Sequence, residues 1–594
     1  MSSTTRIFDL LDHIESAYGS RVFIEGKRNG KWNSYTAKLF KESVDDLSRG
    51  LLASGIQRND KVAIMSHNRP EWNIADFAIM QIGATQVPMY PTLAGQDIRF
   101  ILKDAEVRVV FVGDLELYQK LDAIRQETGS ALKIYCFDDL EGIPSWKEIL
   151  DLGKSNTAID LQPFRDSVGP EDLLTLIYTS GTTGTPKGVM LTHNNLLSNV
   201  LASCLLYPPS FKRALSFLPL SHIFERMVLY MYIHLGISVH YAESMETIVA
   251  DLNEVKPDGF TTVPRLLEKV YDRIVAKGSE LTGLKKKIFY WALELGLQYE
   301  RNGKNGWWYE RQLAIARKLV FSKWQEALGG NIQALVSGGA ALQPRLARVF
   351  WAAGIPVLEG YGLTETSPVI AVNGLGPDQT MFTTVGKPLT GVTVKIAEDG
   401  EILCKGPNVM KGYYNRPDAT AESIDEEGFF HTGDIGELLD GIYLRITDRK
   451  KEIFKTAGGK YVAPQVLENK YKESPLIEQV MVLGENRKFP SALIVPAADA
   501  LKEWCLKKGI PYSNKVDILN EPAVIDKYQR VLDQYNQDFG RWEQVKKFVL
   551  LPKEWSIEGG ELTPKLSFRR KVILEKYKLE IDRMYANAEA EQHA

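Results

Sequence analysis

Apolar and polar positions alternate between two periods along the first half of the chain. Short apolar runs at Lys61–Met65 and Val107–Val112 predict buried strands, whereas Pro70–Ile82 and Gly95–Ala105 have the spacing of helices. Such an alternation predicts parallel sheets that are covered by helices on both faces. The pattern continues in strand-like runs at Thr85–Pro88, Gly259–Val263, Ile332–Ser337 and Ile355–Leu358.

The pattern changes after about Gly386, where short β-type runs replace the long alternation. Two of these runs meet at Asp399-Gly400, and a second pair meets at Asp440-Gly441; each Asp-Gly step predicts a β-hairpin. A helix predicted at Val466–Lys472 and a hairpin predicted at Val480–Val495 then follow.

We therefore predict an α/β protein with two domains. Residues 1–447 form a large N-terminal domain of doubly wound sheets plus a small β-subdomain, and residues 448–594 form a small α+β C-terminal domain.

Composition and charge narrow the function classes. The 594 residues are 44% apolar and 25% charged, as in globular proteins with several subdomains, and the net charge of −3 argues against a nucleic-acid partner. The four cysteines show no metal spacing and are expected to be reduced thiols: Cys136, Cys204, Cys404 and Cys505. With no signal peptide and no long apolar run, we expect a cytoplasmic protein whose membrane contact, if any, is peripheral at the inner face.

The segment Tyr178–Val189 has the composition of a loop that wraps a polyphosphate. Its glycines permit close approach of the backbone, its hydroxyls donate hydrogen bonds, and Lys187 adds a positive charge. The spacing is not that of a P-loop, because Lys187 is followed by Gly188 rather than by serine or threonine. The predicted phosphate-binding residues are Thr179, Ser180, Gly181, Thr182, Thr183, Gly184 and Lys187. The alternative is a Gly/Thr-rich linker.

Three further segments carry candidate chemistry, each with a structural alternative. Tyr361–Pro368 contains Glu365, a hard oxygen ligand suited to Mg²⁺, but it also fits a polar turn with a capping threonine. His431–Asp434 ends in a carboxylate that could accept ribose hydroxyls or form an Asx-turn before the next strand. Ser337–Ala341 is a small-residue turn on which a flat base could lie.

The order of these four segments resembles that of the adenylate-forming superfamily. The stretches Phe217–Arg226, Thr262–Tyr271 and Ile446–Ile453 are similar to those of the long-chain fatty acid–CoA ligase (AMP-forming) family, and the resemblance runs from about residue 7 to residue 580. The resemblance implies ATP, Mg²⁺ and coenzyme A as cofactor and co-substrates, and a fatty acid as the acyl substrate. It implies an acyl-adenylate intermediate with release of AMP and pyrophosphate.

Two other functions remain open. An acyl-adenylate ligase that loads an acyl carrier protein is the nearest enzymatic alternative, and a lipid-binding protein with a decayed active site is the alternative from another class.

Position by position, the resemblance implies the following roles. Thr364 and Glu365 are catalytic, and Glu365 and Thr179 hold the metal. His222 and Tyr461 lie near the fatty acid; for His222 a structural histidine is the alternative. The ATP-binding set beyond the phosphate loop is Gly339, Ala340, Tyr361, Gly362, Thr364, Asp434, Arg449 and Lys455.

The C-terminal domain is implied to be mobile, rotating about a hinge from Asp448 to Lys451 and presenting Gly458 and Gly459 to CoA. Relatives carry a Thr-Pro pair, two further residues and then the adenylation lysine, but here that last position is Ser567 and the lysine is Lys565, two residues earlier. Because residues two apart in an extended segment point the same way, we expect Lys565 to reach the same phosphate. The alternative is a surface lysine in a basic tail.

Residues 285–325 combine basic residues with aromatic ones, which suits the surface of an anionic membrane. The alternative is a pair of solvated helices whose aromatic side chains pack on the main domain. The expected partners are thus a fatty acid and CoA, with this peripheral membrane contact and a homodimer as open options and no nucleic acid.

Overall fold

The computed structural model describes residues 4–180, 186–512, 514–556, 558–563 and 568–593. The chain divides into two compact units. The first comprises Met1–Lys395, Leu403–Thr432 and Asp440–Leu444, and the second comprises Ile396–Ile402, Gly433–Leu439 and Arg445–Ala594.

The strands of the described residues, in chain order, are β1 (Val22–Arg28), β2 (Lys31–Thr36), β3 (Lys61–Met65), β4 (Thr85–Met89), β5 (Val107–Val112), β6 (Lys133–Cys136), β7 (Leu173–Ser180), β8 (Pro186–Thr192), β9 (Arg213–Ser216), β10 (Ser238–Tyr241), β11 (Gly259–Thr262), β12 (Ala334–Ser337), β13 (Val357–Gly362), β14 (Val369–Val372), β15 (Lys387–Pro388), β16 (Thr393–Ile396), β17 (Glu401–Lys405), β18 (Gly412–Tyr413), β19 (Phe430–Leu439), β20 (Tyr443–Arg449), β21 (Phe454–Lys455), β22 (Tyr461–Val462), β23 (Ile477–Leu483), β24 (Ser491–Pro496) and β25 (Lys547–Leu550).

The α-helices are α1 (Ile14–Tyr18), α2 (Ala37–Ala53), α3 (Pro70–Gln81), α4 (Gly95–Asp104), α5 (Leu115–Thr128), α6 (Trp146–Ser155), α7 (Gln162–Ser167), α8 (His193–Cys204), α9 (Ile223–Leu235), α10 (Ile248–Val255), α11 (Pro264–Ser279), α12 (Gly283–Leu297), α13 (Trp307–Ala316), α14 (Ser322–Ala327), α15 (Pro344–Ala352), α16 (Pro417–Ser423), α17 (Pro464–Tyr471), α18 (Ala498–Lys508), α19 (Lys515–Ile518), α20 (Pro522–Asn536), α21 (Arg570–Lys576) and α22 (Lys578–His593). Shorter 3₁₀ turns lie at Ile7–Asp12 and Thr364–Thr366, and a π-helical turn lies at Arg317–Phe321.

The seven-stranded sheet of the first unit has the order β18-β8-β7-β4-β3-β5-β6. Its centre is parallel, and β7, β8 and β18 pair antiparallel at one edge. Alternate side chains of β3 enter different cores: Val62 and Ile64 join the core that contains α2 and α3 residues, whereas Ala63 and Met65 join the core of α4 and α5. Both faces are therefore buried, as the near-continuous apolar run of β3 predicts.

The nine-stranded sheet of the first unit has the order β15-β14-β13-β12-β11-β9-β10-β1-β2. Strands β1, β10, β9, β11, β12 and β13 run parallel, and β2, β14 and β15 add antiparallel edges. The carboxyl ends of four parallel strands, β9, β11, β12 and β13, therefore meet at one edge, which is where α/β sheets commonly bind ligands.

The two predicted Asp-Gly hairpins are present in a four-stranded sheet of order β16-β17-β19-β20. Asp440 and Gly441 both have positive φ, 50° and 72°, as the tight turn between β19 and β20 requires.

The core of the second unit is built on a three-stranded sheet of order β23-β24-β25. The antiparallel pair β23–β24 is the predicted hairpin, and β25 joins it parallel. One face packs against α17, α18 and α20, and the other packs against α21 and α22. This is the small α+β arrangement that the sequence predicts.

The fold class is confirmed, with local differences from the sequence prediction. Both large sheets are mixed rather than wholly parallel, because hairpin connections add antiparallel edge strands. The predicted strand before Tyr361 continues through Gly362, and the helix predicted at Val466–Lys472 begins earlier, at Pro464. Among the described residues, no helix is long and apolar enough to cross a membrane.

Candidate active site

The predicted phosphate loop joins two antiparallel strands, β7 and β8. In their register Thr179 lies opposite Lys187 and Tyr178 lies opposite Gly188, and Ser180 is the last residue of β7. The predicted residues Gly181, Thr182, Thr183 and Gly184 lie outside the described residues. After β8, Thr192 caps α8 by accepting a hydrogen bond from the backbone N–H of Asn195.

Tyr178 fixes the start of β8 from the opposite strand. Its ring would lie 3.1 Å from a Cβ atom placed on Gly188, so glycine is the residue that leaves room for it. The Tyr178 hydroxyl donates to Asp104 at 2.7 Å, and burial, followed by this contact with the carboxylate, raises the pKa of Tyr178. The backbone that carries Lys187 is therefore held in place by the packing of Tyr178.

Tyr413 brings the phosphate-loop lysine and the predicted metal ligand together. It lies on β18, which pairs with β8 so that Tyr413 is opposite Val189. The ammonium nitrogen of Lys187 lies 4.8 Å from the centre of the Tyr413 ring, and the Tyr413 hydroxyl donates to Glu365 Oε1 at 3.0 Å. We call Lys187, Tyr413 and Glu365 the Tyr413 cluster. Burial, and then the Glu365 carboxylate, raise the pKa of Tyr413, which keeps the hydroxyl protonated as a donor.

Glu365 is presented by a tight turn after β13. The backbone carbonyl of Glu365 accepts from the N–H of Met410 at 2.8 Å, and the hydroxyl of Thr366 donates to the carbonyl of Pro368 at 2.6 Å. A Cβ atom on Gly362 would lie 1.7 Å from that same carbonyl, so this close approach requires glycine. The turn is thereby locked, and the carboxylate of Glu365 is half-buried with the buried Thr364 beside it.

The donors of this region fit a magnesium ion that is bound together with a nucleotide. Within the described part of the chain, no group of three or more His, Cys, Asp or Glu side chains could hold a metal by itself. Mg²⁺ is usually held by one or two carboxylates plus substrate phosphates and water, so a single carboxylate such as Glu365 suffices. Thr179, the other predicted metal residue, is half-buried on β7 opposite Lys187.

The predicted base-binding turn lies at the carboxyl edge of the nine-stranded sheet. After β12, Gly339 and Ala340 are exposed, and Gly339 has a φ of 82°. The N–H of Leu342 donates to Glu359 Oε1 at 2.9 Å, which ties this turn to β13. Burial raises the pKa of Glu359 to about 8, although that hydrogen bond lowers it. Sequence reasoning missed Glu359 as the residue that holds the turn.

Three further predicted residues are Tyr361, Gly362 and His222. Tyr361 and Gly362 lie inside β13, paired with Ala371 and Val369 of β14, rather than after the strand end. His222 is the N-cap of α9: its Nδ1 accepts from the N–H of Phe224 at 3.1 Å. The structural alternative for His222 is thus present, and its role toward the fatty acid stays a prediction.

In the second unit, Asp434 and Arg449 face each other on adjacent strands. Asp434 is buried within β19 rather than in a turn, and its Oδ1 lies 3.6 Å from Nε of Arg449, whose side chain is 53% exposed. The next residue, Lys450, is held by Asp399 at 2.6 Å and Glu401 at 2.8 Å. A carboxylate and a guanidinium are therefore paired at this position.

The predicted hinge begins with a buried carboxyl group. Asp448 accepts from the backbone N–H of Arg449 at 2.6 Å and from that of Gln465 at 3.1 Å. Burial raises the pKa of Asp448 to about 7 against the lowering effect of these two bonds. Lys451, the other end of the predicted hinge, is exposed.

The short β21–β22 hairpin gathers four other predicted residues on one exposed loop. Lys455 and Tyr461 are paired in register, and the Lys455 ammonium lies 5.5 Å from the centre of the Tyr461 ring. Gly458 and Gly459 form the tip between them and are exposed. Lys565 and Ser567 lie outside the described residues.

Comparison with known protein families finds two matching models, one for each of two ranges of the chain. Residues 12–414 match the model of the AMP-binding enzyme family, and residues 452–589 match that of the AMP-binding enzyme C-terminal domain. The chain is 34% identical to "Long-chain-fatty-acid--CoA ligase FadD15" of Mycobacterium bovis, with 94% of this chain and 93% of that protein covered. It is 33% identical to "Long-chain-fatty-acid--CoA ligase 5" of Rattus norvegicus, with 94% and 85% covered.

Solved structures share the fold at lower identity. The A domain of carboxylic acid reductase from Segniliparus rugosus, solved with AMP and a carboxylic acid, has a TM-score of 0.74 at 21% identity over 99% of this chain and 95% of that one. A fatty acyl CoA synthetase of Mycobacterium tuberculosis has a TM-score of 0.63 at 20% identity, with 98% and 100% covered. Fold and site together define a nucleotide-binding α/β enzyme. The chain belongs to the AMP-binding enzyme family.

Proposed function

We propose that this enzyme joins a long-chain fatty acid to coenzyme A at the expense of ATP. The reaction passes through an acyl-adenylate, releases pyrophosphate in its first half and AMP in its second. The named relatives, long-chain fatty acid–CoA ligases that align over nearly the whole chain, support the substrate class. The family relationship supports ATP, Mg²⁺ and CoA as the cofactor and co-substrates.

The Tyr413 cluster is the observation that carries this proposal. Lys187 follows a Gly/Thr-rich loop, and Glu365 lies on a turn that is distant in sequence. Tyr413 contacts both, with its ring beside Lys187 and its hydroxyl bonded to Glu365. Lys187 would neutralise phosphate charge, and Glu365 would hold Mg²⁺, which when bound offsets charge on the phosphates. Adenylyl transfer of this kind depends on positioning of the reactants and on stabilisation of phosphate charge more than on covalent catalysis.

We assign roles to the other predicted residues, first to those of the first unit and then to those of the second. Gly339, Ala340 and Tyr361 would bind the base, and Thr364 the phosphate next to the ribose. Asp434 would accept hydrogen bonds from the ribose hydroxyls, and Arg449, which pairs with Asp434, would also contact the ribose. The boundary at 447/448 and the hinge from Asp448 to Lys451 are supported by the second family match, which begins at residue 452. Rotation about this hinge would present Gly458 and Gly459 to CoA in the second half-reaction, and Tyr461 would lie near the fatty acid.

Lys565 is proposed as the residue that completes adenylation. In Lys565→Ala we expect ATP–pyrophosphate exchange to fall about 100-fold, because one positive charge on the reacting phosphate is lost. The second half-reaction, started from synthetic palmitoyl-adenylate, keeps its rate. Exchange at the wild-type rate would assign Lys565 to the surface of a basic tail.

The acyl acceptor separates the two enzymatic alternatives. With ATP, Mg²⁺ and palmitate, we expect the enzyme to form palmitoyl-CoA from free CoA without a carrier protein. Product only in the presence of an acyl carrier protein would favour the alternative ligase, and no exchange with any fatty acid would favour a lipid-binding protein without activity. Because long-chain fatty acids partition into bilayers, peripheral membrane contact fits this function; a homodimer stays a prediction.

A further inference from the structure

The first unit exposes an apolar helical face that its own core does not cover. Helix α13 continues through the π-helical turn at Arg317–Phe321, and along this rod four large apolar side chains point outward. Trp307 is 69% exposed, Trp308 62%, Ile315 52% and Leu319 50%. With Arg311 and Lys318, which are also exposed, we call these residues the Trp307 face.

The opposite side of the same rod is firmly packed. Tyr309, Leu313, Ala316 and Phe321 are buried in the main core of the first unit, and the Tyr309 hydroxyl donates to the backbone carbonyl of Leu295 on α12. The helix therefore has two apolar sides, of which one builds the core. The alternative stated from the sequence, in which the aromatic side chains pack on the main domain, describes the buried side. It does not explain the exposed side.

Single exposed apolar residues are ordinary, but this cluster is not. Two adjacent indoles pack edge to face with ring centres 5.7 Å apart, and the Arg311 guanidinium lies 5.2 Å from the Trp307 ring. The only other strongly exposed tryptophan among the described residues is Trp542, in the second unit. Indoles with an apolar body and a polar N–H are favoured at the boundary between hydrocarbon and water.

The charges around the Trp307 face have one predominant sign. Between residues 281 and 327 the exposed basic residues are Lys285, Lys286, Lys287, Lys304, Arg311, Lys318 and Lys323, whereas the exposed acidic residues are Glu294 and Glu326. The chain as a whole has a net charge of −3, so this positive region runs against the overall balance. Its complement is a negatively charged surface.

We propose that the Trp307 face docks on the surface of an anionic lipid bilayer. The indoles and aliphatic side chains enter the boundary between headgroups and acyl chains, and Arg311 and Lys318 contact the phosphates. The role of this docking rests on the proposed function, because docking brings the enzyme to a fatty acid that is dissolved in the membrane.

The test is co-sedimentation of the full chain with vesicles at low salt. We expect binding to vesicles that contain phosphatidylglycerol, little binding to pure phosphatidylcholine, and release at high salt. Trp307→Ala/Trp308→Ala and Arg311→Glu/Lys318→Glu each weaken binding by about tenfold or more, because apolar area or charge at the boundary is lost.

Matched controls come from the second unit. Trp542→Ala removes an exposed tryptophan, and Lys502→Glu/Lys508→Glu makes the same charge change on the exposed side of α18. Both keep wild-type binding if the Trp307 face is the docking surface. Equal losses in these controls, no vesicle binding by the wild type, or equal binding to neutral vesicles would overturn the proposal. So would a dimer that Trp307→Ala/Trp308→Ala dissociates, because a second copy would then cover the face.

A second assay separates this proposal from the proposed function. With decanoate in solution and no vesicles, all surface variants form acyl-CoA at the wild-type rate, because none of the changed residues lies in the Tyr413 cluster. With palmitate supplied in anionic vesicles, the two Trp307-face variants are slower by several-fold. A wild type that binds vesicles but forms no acyl-CoA from any fatty acid would contradict the function and leave the docking surface standing.

Discussion

The two regions that carry the predicted site residues are built differently. In the first unit, Lys187 and Glu365 are held against Tyr413 by a side-chain hydrogen bond and a ring contact. In the second unit, Arg449 is 53% exposed at the end of β20, and Tyr461 is 66% exposed on the two-residue strand β22. The side chains of the first region are fixed by contacts with one another, whereas those of the second region are largely exposed to solvent.

The difference matches the chemistry that we propose for each region. A place that receives phosphate charge gains from donors already fixed in position, because no reorganisation is then needed during the reaction. Groups on a domain that we propose to rotate between the two half-reactions are expected to be exposed rather than fixed against neighbouring side chains. We therefore expect substitutions of Lys187 and Glu365 to lower ATP–pyrophosphate exchange more than a substitution of Arg449.

Glu365→Gln is expected to have the largest effect. Losing the charged metal ligand lowers ATP–pyrophosphate exchange with palmitate by about 1,000-fold, because the metal-bound nucleotide loses its protein anchor. The control is Glu422→Gln, which changes an exposed carboxylate on α16 of the same unit. Similar activity in the two variants would contradict the role of Glu365.

Lys187→Met and Arg449→Met compare the two regions directly. We expect about a 100-fold loss of exchange for Lys187→Met, which acts on phosphate, and about a tenfold loss for Arg449→Met, which acts through Asp434. Both are measured under the same conditions as a function of ATP concentration. A larger loss in Arg449→Met would reverse the comparison.

Tyr413→Phe removes one hydroxyl and leaves the ring beside Lys187. Exchange falls by about tenfold and half-maximal activity needs more Mg²⁺, because the Glu365 carboxylate loses the donor that orients it. Tyr414→Phe, one residue along, is the matched control and keeps the wild-type Mg²⁺ dependence. An unchanged Mg²⁺ requirement in Tyr413→Phe would assign the residue a packing role only.

Glu359→Gln is expected to change the pH dependence of stability rather than the rate. The folded-state pKa of Glu359 is raised to about 8, so its stabilising contribution is present at low pH and is lost as the pH rises. Between about pH 5 and pH 8 the free energy of unfolding of the wild type falls relative to the variant by about 1 kcal/mol per unit. Denaturant unfolding at several pH values measures this difference; parallel curves would contradict it.

Local signals in the sequence predicted much of the fold. The apolar run at Lys61–Met65 and the Asp-Gly turns at 400 and 441 depend on neighbours in the chain, and each is present. The antiparallel edges of the large sheets were not predicted, because strand pairing depends on the whole sheet rather than on a local period.

The candidate site was predictable by type but not by arrangement. Lys187 and Glu365 stand out because of their residue types and glycine-rich surroundings. Tyr413 does not, since its role arises from the pairing of β18 with β8, strands that are far apart in sequence. Asp434 lies in a strand although His-Thr-Gly-Asp favours a turn, because pairing across the four-stranded sheet outweighs that local preference.

The central claim is that this enzyme makes a long-chain acyl-CoA through an acyl-adenylate. The direct measurement is to incubate the full chain with ATP, Mg²⁺, palmitate and CoA and to quantify AMP, pyrophosphate and palmitoyl-CoA together. The account predicts that the three products appear in equal amounts and that Glu365→Gln lowers the rate of formation of all three by about 1,000-fold. Release of ADP in place of AMP, or AMP without palmitoyl-CoA, would contradict it.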